Sequence, residues 1–69
     1  MKPVSGKRMC RILEKRGWVL VRSKSSHRAY QRPGNPTTII VPVHGNKDLP
    51  AGLIKAILKQ AGIKQGGFA

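Results

Sequence analysis

Residues 18–41 read WVLVRSKSSHRAYQRPGNPTTIIV. Two polar interruptions, Lys24-Ser25-Ser26 and Pro33-Gly34-Asn35-Pro36, divide this stretch into three short segments. The first and third segments are rich in β-branched and aromatic residues, which favour strands, and the interruptions contain turn-forming residues. The stretch therefore predicts three consecutive strands over 18–22, 27–32 and 37–41, which short turns join in antiparallel fashion.

A helix is predicted before these strands. Ser5 is a suitable N-cap residue, and Gly6 is expected to open the helix. An apolar stripe at helical spacing follows, and Gly17 suits the left-handed position that ends many helices. The stripe consists of Met9, Ile12 and Leu13.

A second helix is predicted after the strands. Pro50 suits the first turn of a helix, and Gly62 is expected to end it. Between them one face is apolar, which indicates an amphipathic helix that packs against a core. This face comprises Leu53, Ile54, Ile57, Leu58 and Ala61.

The element order is helix, three strands, helix. The apolar stripes of both helices have one place to be buried, which is a single face of the sheet. The prediction is an α+β fold of the double-stranded-RNA-binding type, with the other sheet face open. We expect one domain over residues 1–69, with an ordered core at about 4–63 and a glycine-rich tail at 64–69.

The charge indicates the class of partner. The chain has 69 residues, and 14 Lys and Arg face only Glu14 and Asp48, which gives a formal net charge of +12. Such an excess predicts attraction to nucleic acid, an acidic protein or an anionic membrane. Membrane insertion is disfavoured because the longest apolar runs are far too short to span a bilayer.

Several kinds of chemistry are disfavoured by composition. Because Glu14 and Asp48 are the only acidic residues, paired-carboxylate catalysis is disfavoured. A hard-cation site is disfavoured as well, because it needs several oxygen ligands. Cys10 is the single cysteine, so a disulfide and a cysteine zinc site are not expected. A lone thiol in so short a chain indicates a reducing compartment, so we expect a cytoplasmic protein. Cys10 itself is expected to be a small buried residue of the core. We expect no metal or cofactor.

His27 is the candidate catalytic residue. Imidazole exchanges protons near neutral pH, and cations beside it can hold a phosphate. RNA cleavage needs little more, because the 2′-hydroxyl of the substrate is the nucleophile. From the residues alone two interpretations remain open: His27 is a general base that deprotonates this hydroxyl, or it is a surface histidine that contacts phosphate.

The candidate RNA-binding residues are neighbours of this histidine in the sequence or cations elsewhere in the chain. Lys24 and Arg28 are candidates for stabilising a charged transition state. Strand alternation counts against Arg28, because it places Arg28 on the face opposite His27. The His27 face also holds Ala29 and Gln31, and the Arg28 face also holds Tyr30 and Arg32. The hydroxyl of Ser26 either positions His27 or a phosphate, or serves only the turn. The set of RNA-binding candidates is Lys24, Ser26, Arg28, Lys7 and Arg22.

Two further residues, Tyr30 and His44, are open to two interpretations. Tyr30 is expected to pack in the core rather than to stack on a base, and Trp18 is expected to anchor the first helix to the sheet. His44 is the only other histidine. It is either a loop residue, which we favour, or a second catalytic group that acts as general acid.

Four segments in this order and spacing resemble the HicA family of bacterial toxins: GWVLVR at 17–22, Ser26-His27, VPVH at 41–44 and ILKQAGI at 57–63. The resemblance covers about residues 4–63. It implies a small mRNA interferase with a double-stranded-RNA-binding-like fold and a HicB antitoxin, an acidic partner that covers the active site. The family's catalytic histidine matches His27, whereas Ser25 stands where the family usually has glycine.

Two functions from different classes follow. The leading hypothesis is a metal-independent endoribonuclease toxin that acts on mRNA with His27 as general base. The alternative is a non-catalytic basic RNA-binding module, since the charge and the fold require only phosphate contacts. A membrane-surface protein is a poorer third, because both apolar stripes are already committed to a core.

Overall fold

The computed structural model describes residues 3–63 and has the expected order of elements. These are α1 (Gly6–Lys15), β1 (Val19–Lys24), β2 (His27–Arg32), β3 (Asn35–Pro42) and α2 (Ala51–Ala61). The strands form one antiparallel sheet in the order β1-β2-β3. The α+β prediction is therefore confirmed, and β2 has the predicted bounds. β1 begins one residue later and ends two residues later than predicted, β3 is longer at both ends, and the tail at 64–69 lies outside the described residues.

Helix α1 begins and ends as its sequence predicts. The Ser5 hydroxyl oxygen accepts a hydrogen bond from the Arg8 N–H at 3.1 Å, so Ser5 is the N-cap. At the other end Gly17 adopts φ = 89°, and the N–H groups of Gly17 and Trp18 donate to the carbonyls of Glu14 and Leu13. This pair of bonds is the Schellman arrangement, which satisfies carbonyls that the helix end leaves unpaired.

Both helices cover the same face of the sheet, which we call the covered face. Their apolar stripes meet inward-facing strand residues such as Ile39 and Val41, both fully buried. The free Cys10 is buried as predicted. The core cluster contains Val4, Met9, Cys10, Ile12, Leu13, Trp18, Tyr30, Ile39, Val41, Leu49, Ile54, Ile57, Leu58, Ala61 and Ile63.

Tyr30 belongs to this core, as predicted. Its side chain is fully buried, and its hydroxyl donates to a Glu14 carboxylate oxygen at 2.6 Å. This bond joins the middle of the sheet to α1. Burial, together with contacts to Cys10 and Glu14, raises the pKa of Tyr30 above its ordinary value of 10.0, because the charged form is poorly solvated there. Tyr30 therefore has a structural position and is not available for stacking on a base.

The opposite side of the sheet, the open face, has no helix over it in the described part of the chain. Register places Arg22 opposite Ala29 and Ala29 opposite Ile40, and the next rung is Lys24, His27 and Pro42. Between Leu20 and Arg22 the register shifts, so Val21 is an extra residue in β1. This bulge returns Arg22 and Lys24 to the same face as His27.

Candidate active site

The tight turn between β1 and β2 positions His27. Lys24 and His27 are paired, so the loop between them has only two residues, Ser25 and Ser26. Ser25 has φ = 57°, and it is the only non-glycine residue with positive φ in the described part of the chain. A positive φ at the first loop residue alone matches a type II′ hairpin turn, which prefers glycine at that position. Ser25 therefore keeps the turn, with a strained backbone, where the resemblance implies glycine.

An open groove of about 480 Å³ lies on the open face beside this turn. It is lined by Arg22, Lys24, Ser25, His27, Ala29 and Ile40. The side chains of Arg22, Lys24 and His27 are exposed, so a ligand in the groove can reach all three. The volume lies within the range of about 300–1,000 Å³ that is usual for small-molecule sites.

The structure brings together only part of the predicted site. Arg22 and Lys24 join His27 in the groove. Arg28 is half-buried and pairs with the fully buried Val41, which places it toward the covered face. Lys7 is exposed on α1, which packs on that covered face. Arg28 and Lys7 therefore remain candidates for RNA contact elsewhere, not for contact at the groove.

Ser26 has a backbone role that the sequence did not reveal. Its carbonyl accepts a hydrogen bond from the Val43 N–H at 2.6 Å, which joins the first turn to the segment after β3. His44 directly follows Val43 and is exposed in the loop, as expected. The carbonyl of His44 accepts a hydrogen bond from the Lys47 N–H at 3.0 Å. Both histidines therefore lie at the same end of the sheet.

The apolar floor of the groove was also missed at the sequence level. Ala29 is buried although it belongs to the open face, because the side chains of the flanking strands surround it. Ile40 beside it is 43% exposed. A signal was present: two adjacent isoleucines in one strand must face opposite sides of a sheet, so one of them had to line the open face.

The arrangement offers a proton acceptor beside two cations on an accessible surface. A histidine near fixed positive charge can remove a proton from a bound hydroxyl while the cations hold an anionic group. Within residues 3–63, no three His, Cys, Asp or Glu side chains come together as a metal site. Over the same residues, neither helix has the length and apolar character needed to cross a bilayer.

Comparison with protein families gives a match over most of the chain. Residues 6–63 match the family described as HicA toxin of bacterial toxin-antitoxin. A search of curated proteins gave no significant match. The matched region contains both helices, all three strands and the groove with His27. The chain therefore belongs to the HicA toxin family of bacterial toxin–antitoxin systems, and such a toxin has an antitoxin partner.

Proposed function

We propose that this toxin is an endoribonuclease, an mRNA interferase, in which His27 is the general base. The observation that carries the proposal is that Lys24 and His27 are paired across β1 and β2 and both line the open groove. A structural histidine would be expected in the core or hydrogen-bonded to its neighbours, whereas His27 is exposed on the open face, which carries no helix within residues 3–63.

In the proposed reaction the groove holds one phosphodiester of an RNA strand. His27 takes the proton of the 2′-hydroxyl, and the 2′-oxygen attacks the neighbouring phosphorus. Lys24 and Arg22 stabilise the additional negative charge on the phosphorane. The bond to the 5′-oxygen then breaks and that oxygen takes up a proton, which leaves a 2′,3′-cyclic phosphate on one fragment and a 5′-hydroxyl on the other.

The lining of the groove supports an RNA strand as the substrate. The cations Arg22 and Lys24 suit the phosphate, while the exposed apolar surface of Ile40 suits the flat face of a base. The high net charge adds attraction to the rest of the RNA that does not depend on sequence. Substrate binding should therefore weaken steeply as the salt concentration rises.

The test of this proposal replaces His27 with alanine. Cleavage of RNA by the variant should fall by a factor of about 10²–10⁴, because a general base contributes that much to the rate. Circular dichroism should show an unchanged fold. The assay contains EDTA, and the fragments of the wild-type reaction are analysed for a cyclic phosphate. Undiminished cleavage by the folded variant would refute the role of His27.

A pair of lysine variants separates a local role of Lys24 from the effect of charge. Lys24→Ala removes a cation from the groove, whereas Lys55→Ala removes one from the exposed side of α2, on the other side of the sheet. Both variants lose one charge, so both weaken sequence-independent RNA binding. Only Lys24→Ala should also slow the cleavage of bound RNA. If both variants cleave bound RNA equally well, Lys24 contributes only a general phosphate contact.

The second candidate function is a non-catalytic RNA-binding module, which the net charge of +12 favours. Under this alternative the protein binds RNA with a steep salt dependence and leaves it intact at low salt. Incubation of purified protein with labelled RNA, with binding and fragment length measured in the same sample, distinguishes the two functions.

We also propose that the partner is a HicB-like acidic antitoxin that covers the groove in the cytoplasm. An acidic surface complements Arg22 and Lys24, and the exposed Ile40 of the groove provides apolar contact area, as do the exposed Val19 and Val21 farther along β1. Lys24→Glu should weaken the complex with the antitoxin. Lys55→Glu makes the same change of charge away from the groove and should leave the complex intact.

A further inference from the structure

His44 lies close to His27 although 17 positions separate them in the sequence. Pro42 is the register partner of His27, and the Val43 N–H donates to the Ser26 carbonyl at 2.6 Å. This hydrogen bond extends the contact between the two segments past the end of β3. His44, the next residue, is thus held at the same end of the sheet as the groove.

The distance between the two histidines is bounded by the backbone. Paired residues of antiparallel strands have Cα atoms about 5 Å apart, and each peptide bond advances the chain by about 3.8 Å. Two peptide bonds join Pro42 to His44, so the Cα atoms of His27 and His44 are at most about 13 Å apart. Two imidazole side chains at this separation can approach a single phosphodiester from opposite sides.

The pattern of burial supports the orientation that this approach requires. Pro42 belongs to the rung of His27 on the open face, whereas Val43 packs against the core. The hydrogen bond from the Val43 N–H to the Ser26 carbonyl continues the pairing of β2 and β3 by one residue past the end of β3. Continuing the alternation of side chains by one more residue puts His44 on the side of Pro42. His44 is exposed, and the hydrogen bond that holds its loop uses its backbone carbonyl. The imidazole ring is thus not required for that bond.

We propose that His44 is the general acid of the reaction, an inference that rests on the proposed ribonuclease function. His27 accepts the proton of the 2′-hydroxyl as the 2′-oxygen forms its bond to phosphorus. As the bond from phosphorus to the 5′-oxygen breaks, its electron pair stays on that oxygen, which takes a proton from protonated His44. His27 then returns a proton to water and His44 regains one, so that the balance closes without a co-reactant.

The experiment compares two RNA substrates that differ at one atom. The first is an oligoribonucleotide with a cleavage site mapped for the wild-type protein. The second has sulfur in place of the 5′-oxygen at that site, and a thiolate leaves without being protonated because its conjugate acid is far stronger than an alcohol. A variant that lacks the general acid should therefore be impaired only on the first substrate.

His44→Ala should lower cleavage of the oxygen substrate by about 100-fold or more and that of the sulfur substrate by less than about threefold. His27→Ala should be impaired on both. Asn46→Ala, a substitution in the same exposed loop, is the matched control and should cleave both substrates normally. Should His44→Ala fail to fold by circular dichroism, His44→Gln keeps a polar side chain of similar size that cannot supply a proton.

Two results would overturn the assignment of His44. One is normal cleavage of the oxygen substrate by the folded variant. The other is an equal loss on both substrates, which would indicate a role in binding or in loop structure. A wild-type protein that cleaves neither substrate would refute the nuclease itself and this inference with it, whereas either of the first two results would leave His27 as general base intact.

Discussion

In β2 and β3 the covered and open faces of the sheet consist of alternate residues, yet the two faces differ in burial and in charge. On the covered face Tyr30, Ile39 and Val41 are fully buried beneath two helices. On the open face Lys24 and His27 are exposed around a groove. Neighbouring residues of one strand therefore have different roles: one contributes to stability, and the next is accessible to a ligand.

The sharpest test of this comparison uses two adjacent isoleucines. Ile39 has no exposed surface, whereas Ile40 is 43% exposed. Ile39→Ala should lower the free energy of unfolding by about 2–5 kcal/mol, because it removes buried methylene and methyl groups and leaves a cavity. Ile40→Ala should lower it by less than about 1 kcal/mol, since much of that side chain is already hydrated.

Urea unfolding of both variants measures the difference. If Ile39→Ala leaves too little folded protein, Ile39→Val gives a milder loss of about 0.5–1.5 kcal/mol for the same comparison with Ile40→Val. Equal losses at the two positions would mean that the two faces do not differ in burial as described.

The next largest effect is expected where α1 meets the sheet. A Cβ atom on Gly6 would collide with the carbonyl oxygen of Pro42, so α1 could not keep its position on the covered face. Gly6→Ala should therefore destabilise the protein by about 1–3 kcal/mol, the range for overpacking. The matched control is Gly52→Ala, in α2, where a Cβ atom meets nothing within 4 Å.

Gly52→Ala should stabilise the protein by about 0.5 kcal/mol, because alanine loses less backbone entropy than glycine in a helix. Thermal unfolding followed by circular dichroism measures both variants. A similar change at the two positions would indicate that glycine at position 6 serves only the helix start and not the close approach to β3.

The smallest effect is expected at the turn beside the groove. Ser25→Gly should stabilise the protein by about 0.5–1 kcal/mol, because glycine adopts positive φ without strain, although it gives the unfolded chain more entropy. Ser26 lacks a positive φ, so Ser26→Gly should destabilise the protein slightly. Chemical unfolding of the two variants decides the matter; a loss of stability in Ser25→Gly would contradict the strain at this residue.

Local sequence signals were sufficient for much of the fold. Ser5 and Gly17 mark the ends of α1, and the bounds of β2 follow from the turn residues on either side. The apolar stripes then left one face of the sheet for both helices. His27 could be selected from its residue type and its neighbours, and the structure adds that it lies in an open groove.

Features that depend on contacts distant in sequence could not be predicted in this way. The bulge at Val21 interrupts strict alternation, and so the register of β1 against β2 was needed to place Arg22 and Lys24 beside His27. Gly6 was recognised as a helix start, but its closeness to Pro42 is a tertiary contact. The proximity of His44 to His27 likewise depends on the hydrogen bond between Ser26 and Val43.

β1 is an edge strand of the sheet, and this affects the tendency of the protein to self-associate. Its outer backbone N–H and C=O groups have no neighbouring strand within the described residues, and Val19 and Val21 are about half exposed. A second molecule can add a strand to such an exposed sheet edge. Mutual repulsion between molecules of charge +12 opposes this association, and dissolved salt screens the repulsion. Concentrated salt therefore weakens this repulsion and favours self-association through β1.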